Sequence, residues 1–108
     1  MTYEEEVKMF KSITEEMATT FANKRRDYGP STTETWIKYG PVSMCTRMRD
    51  KLNRIDNLLA KRNDPCVQDE KVQDTLLDLA NYAIIALIEL EKERERCKII
   101  SEVNEKKE

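Results

Sequence analysis

All of the glycine and proline in this 108-residue chain sits in three places: Gly29-Pro30, Gly40-Pro41 and Pro65. These are the strongest local breakers of regular structure. Glycine reaches positive φ without strain, and proline lacks the amide proton that a helix interior needs. The intervals between them hold no other breaker. Strands and their turns need more glycine and more β-branched residues, so the chain is confined to helices.

The intervals read as four helices. The first runs from about Thr2 to Arg26. Thr2 followed by Glu5 is a capping-box pattern, and Val7, Phe10, Ile13, Met17 and Phe21 recur as one apolar stripe. Lys24, Arg25 and Arg26 lie at its C-terminal end, where cations complement the helix dipole. Between the two Gly-Pro breaks, Ser31 to Tyr39 forms a short linker helix that carries the single tryptophan, Trp36. Its aromatics either plug the end of a bundle or offer a stacking surface to a base. The third helix runs from Val42 to about Arg62, with Cys45, Met48, Leu52, Ile55 and Leu59 on one face, and Asn63-Asp64-Pro65 ends it. The fourth starts near Gln68 and reaches about Val103. From Leu76 to Leu90 it is apolar around most of its circumference. That places it centrally in a bundle or between subunits. The expected architecture is a single all-α domain over residues 1–108. It is a helical bundle of three main helices plus the linker helix, with residues 91–108 a charged helical extension. A chain of this size completes such a core by forming a homodimer or homotetramer.

Composition removes several function classes. The chain has no histidine, which rules out Ser-His-Asp and Cys-His mechanisms and His-ligated zinc. Cys45, Cys66 and Cys97 are too far apart for a metal clip and fit a reducing compartment. A net charge of −2 and a pI near 5.4 argue against duplex nucleic acid as a partner. The acidic start, Met1 to Glu6, is no signal peptide, and the longest apolar run, Ala83 to Ile88, is too short to span a bilayer. The expectation is a cytoplasmic protein without membrane contact.

One feature of the fourth helix calls for a partner. Glu70, Asp74, Asp78 and Asn81 share a narrow face, and Asp78 and Asn81 lie within the most apolar stretch. Like charges four residues apart destabilise a helix, and an unpaired buried carboxylate costs several kcal/mol. Two arrangements offset this. In the first, Arg47, Lys51 and Arg54 of the third helix pair with Asp74 and Asp78. In the second, Asp50, Glu70, Asp74 and Asp78 hold magnesium, with manganese as an alternative, and the neighbouring bases neutralise the phosphates of a ligand. Asp50 faces away from the apolar stripe of its own helix and reads as solvated or as facing a second subunit.

The runs Lys24-Arg25-Arg26-Asp27-Tyr28-Gly29, Trp36, Gly40, Arg49 to Arg54, Val67, Asp69-Glu70 and above all Asp74 to Ile85 resemble the nucleotide modification associated domain 1 family. Its members are short α-helical proteins found mostly in bacteriophages and prophages. The layout is also distantly similar to the MazG-like all-α nucleotide pyrophosphatases, which bind magnesium through paired acidic motifs. In that comparison Asp50 and Asp78 keep an acid. Thr75, Lys51 and Arg54 replace one. These resemblances imply a nucleotide ligand contacted by Lys24, Asp27, Tyr28, Trp36, Lys51, Arg54 and Asn81. They imply catalytic roles for Asp50, Asp74 and Asp78 in magnesium-dependent hydrolysis of a phosphoanhydride bond. Basic residues at two acidic motif positions equally suit a non-catalytic protein that sequesters nucleotides or nucleotide signals, or assists DNA modification or host takeover. A third reading is a helical interaction protein with no small ligand.

Overall fold

The structure is a computed structural model that describes residues 1–62, 64, 66 and 70–107. Its regular elements there are all helical: α1 (Tyr3–Tyr28), α2 (Ser31–Tyr39), α3 (Val42–Ala60) and α4 (Glu70–Lys107). Gln68, the expected start of the fourth helix, lies outside the described residues, as do Val67 and Asp69.

Local chemistry sets the helix ends. The Glu5 amide donates to the Thr2 hydroxyl at 3.1 Å, and the Thr2 amide donates to the Glu5 carboxylate at 3.3 Å. This reciprocal box satisfies two amide donors at the start of α1. Thr2→Ala is expected to cost about 1 kcal/mol of α1 stability, read as lower helicity in the first turns by NMR chemical shifts. Gly29 ends α1 at φ 63°, its amide donating to the Arg25 carbonyl, and Gly40 ends α2 at φ 78°, its amide donating to the Trp36 carbonyl. Space for a Cβ exists at both, so it is the left-handed backbone that selects glycine there.

The chain forms two compact units, Met1–Glu34 and Thr35–Glu108. In the first, Met17 of α1 is buried, while Phe10 and Ile13 of the same stripe remain exposed. In the second, α3 packs along α4. Its core holds Trp36, Met44 and Ile55, joined by Thr75 and Glu89.

The packing face of α3 differs from the expected one by a single step around the helix. Met44, Met48, Lys51, Ile55 and Leu58, spaced four, three, four and three, are buried or half-buried, as is Ser43 at the start of the helix. Cys45, Leu52 and Leu59 are exposed. Met44 and Leu58 fit an apolar stripe as well as Cys45 and Leu59 do, and Lys51 is what decides between the two. A search for apolar residues alone passes over a lysine, yet Lys51 occupies a packing position because an acid waits for it on α4.

The most apolar stretch of α4 is likewise not buried all round. Thr75 and Glu89 are buried, whereas Leu76, Ile84, Leu87 and Leu90 are exposed. Thr75 satisfies its hydroxyl by donating to the Lys71 carbonyl at 2.6 Å, and Glu89 accepts from Lys92 Nζ at 3.3 Å. Most buried polar groups in folded proteins are bonded in this way. No helix among the described residues is long and apolar enough to cross a membrane.

Candidate functional site

Along α3 and its C-cap Lys61, residues 47, 50, 51, 54, 57, 58 and 61 share one flank that runs from the packing seam, at Lys51 and Leu58, outward. Five cationic side chains result along this flank and the facing part of α4: Arg47, Lys51, Arg54, Lys61 and Lys71. They line a cavity of about 610 Å³ together with Asp50, Asn53, Asn57, Leu58 and Tyr82. From Arg47 to Lys61 the row extends for roughly 20 Å at the rise of a helix.

Lys51 closes the inner edge. Its Nζ donates to Asp78 Oδ2 at 3.0 Å, with both side chains part-buried. Arg47, Arg54 and Lys61 form no ion pair among the described residues. A row of cations costs repulsion in isolation, so a site with this surplus attracts anions. The two asparagine amides and the Tyr82 hydroxyl add neutral donors and acceptors. An anion with several oxygens, such as a chain of phosphates, matches this lining, because arginine binds phosphate oxygens in pairs.

The sequence-predicted residues separate into groups. Lys51 and Arg54 lie in the cavity with Asp50. Asp78 faces them through Lys51, and Asn81 is half-buried on the same helix. Glu70 and Asp74 are exposed and lie outside the cavity lining. Asp50, Glu70, Asp74 and Asp78 do not converge: among the described residues no group of three or more His, Cys, Asp or Glu side chains could hold a metal ion. Lys51 takes the place a cation would have beside Asp78, and Asp50 sits among arginines and lysines. This donor set does not fit a metal centre built by one chain. Thr75 is buried and bonded to its own helix, so it supplies no ligand in place of the missing glutamate.

Trp36 is only 3% exposed, and its indole N–H donates to Glu93 at 2.8 Å. The ring is a packing element of the second unit and presents no free face for a base. Lys24 and Asp27 are exposed on α1, where Asp27 lies 4.0 Å from Arg26. The side chain of Tyr28 lies outside the described residues. Sequence reasoning missed Lys61, Lys71, Asn53, Asn57 and Tyr82. The seven-residue recurrence of Arg47, Arg54 and Lys61 was the available signal.

Residues 24–90 match a family profile described as nucleotide modification associated domain 1. The match spans the whole lining of the cavity. No curated protein and no solved structure matches the chain.

Proposed function

Given that the chain belongs to the nucleotide modification associated domain 1 family, we propose that the cationic cavity between α3 and α4 binds a nucleotide through its phosphates. The observation that carries this reading is the row Arg47, Arg54 and Lys61, none of them paired with an acid among the described residues. Arg47, Lys51 and Arg54 take the phosphates as charge-assisted donors. Asn53, Asn57 and Tyr82 are the groups suited to a sugar or base edge.

Magnesium-dependent hydrolysis is the second reading. It is favoured by one observation: Asp50 lines the cavity beside three of its cations. Any magnesium would arrive chelated by the phosphates of the nucleotide, as it usually does. The family description and the cationic cavity support a bound nucleotide more directly than they support turnover.

The test is calorimetric titration with deoxynucleoside mono-, di- and triphosphates in EDTA, then with magnesium. Affinity that persists in EDTA, rises with phosphate number and falls as salt is added is the expected result. Absence of binding by every nucleotide would remove the reading. Phosphate or pyrophosphate release that needs magnesium and stops in Asp78→Asn would establish the hydrolytic alternative.

A further inference from the structure

The side of α4 turned away from α3 carries a second pattern. Leu76, Ala80, Ala83, Leu87 and Leu90 are spaced four, three, four and three, and all five are exposed. Leu87 is 66% exposed in the middle of this seam. Such spacing is a coiled-coil seam, with Leu76, Ala83 and Leu90 on one of its two rows and Ala80 and Leu87 on the other.

The order of sizes in the seam is self-complementary in one direction only. Laid antiparallel on a second copy, Ala80 meets Leu90 and Ala83 meets Leu87, and the two-fold axis repeats both pairings. Every central layer then joins a small residue to a large one. A parallel arrangement would put alanine on alanine in two adjacent layers and leucine on leucine in the next two. The alanine layers leave voids, which cost stability, because the neighbouring leucine layers hold the two helices further apart.

Charge agrees with the same register. Glu70 and Lys98, both exposed, fall opposite each other across the antiparallel pair at the flanking positions. Ile84 meets its own counterpart at the axis. Arg94 falls opposite Leu76, where its aliphatic stem covers the leucine and its head reaches water.

We infer that α4 is an antiparallel self-association surface, and that its occupant is α4 of a second copy of this chain in the register that seats Ala80 against Leu90 and Ala83 against Leu87. The cationic cavity lies on the α3 side of α4 and stays open in this pairing, so the inference stands apart from the nucleotide reading.

Sedimentation velocity of the full chain tests it first. The expected species is a dimer, and Leu87→Lys, which puts a charge into the seam without touching the core, should raise its dissociation constant by about 100-fold. Circular dichroism of that variant should be unchanged. Register is read by disulfide formation after Cys45, Cys66 and Cys97, all exposed, are changed to serine. A mixture of Ala80→Cys and Leu90→Cys chains should cross-link to each other, while neither variant cross-links to itself, since a disulfide needs its Cα atoms within about 7 Å. A monomer at all concentrations would overturn the inference. So would self-linking of each single variant, or a dimer indifferent to Leu87→Lys.

Discussion

Replacing Arg54 by glutamate is expected to weaken nucleotide triphosphate binding by about 2–3 kcal/mol, a roughly 30- to 150-fold rise in Kd. Arg54 lies at the middle of the cationic row, flanked by Lys51 and Asp50 on one side and Leu58 and Lys61 on the other. Reversal of its charge removes a phosphate donor and places a repelling carboxylate within the cavity. The control is Arg49→Glu, the same change of charge on the same helix but outside the lining. Calorimetry should separate the two variants, with Arg49→Glu close to wild type apart from a small long-range effect that salt screens. Equal losses in both would mean that net charge, not this cavity, governs the interaction.

The largest stability effect is expected at Trp36. Trp36→Ala removes a buried aromatic and leaves the Glu93 carboxylate without its indole donor. Loss of such a ring costs about 3–5 kcal/mol, a large share of the stability of a domain this small. Urea denaturation followed by circular dichroism should show the midpoint fall sharply or the cooperative transition vanish. Trp36→Phe retains most of the packing and loses mainly the hydrogen bond, so about 1 kcal/mol is expected. Were Trp36 a stacking platform for a base, both variants would leave stability near wild type and reduce nucleotide affinity instead.

Much of the secondary structure was legible because its determinants are local. Thr2 and Glu5 announce the start of α1, and the two Gly-Pro pairs bound α2 on both sides. What lies between helices was harder to read. The face of α3 was misplaced by one residue because periodicity was sought in apolar side chains, and Lys51 occupies a seam position by pairing with Asp78 across the interface. No pattern within one helix contains that information. The acidic face of α4 exists as drawn, but a helical wheel does not say what faces it. Among the described residues Asp78 is the acid of that face that meets a cation on α3, and Glu70 and Asp74 remain exposed. The three basic residues recognised on α3 were read either as partners of that acidic face or as neutralisers of a ligand's phosphates, with Lys51 and Arg54 among the expected ligand contacts. Lys61 and Lys71, which come from the ends of two different helices, turn the same region into a cationic cavity.

Lys51 belongs to both the fold and the cavity, and this has a consequence for how the protein can change. An ammonium group has three protons to donate. Asp78 accepts one of them at 3.0 Å, which leaves the others for the cavity. Substitutions at this position cannot adjust ligand affinity alone. An apolar residue would improve the packing of α3 on α4 while orphaning Asp78 and lowering the charge of the cavity. An arginine would keep the charge and strain the seam. Affinity and folding therefore both pass through one side chain, with the part-exposed pair to Asp78 contributing at most about 1 kcal/mol on the folding side.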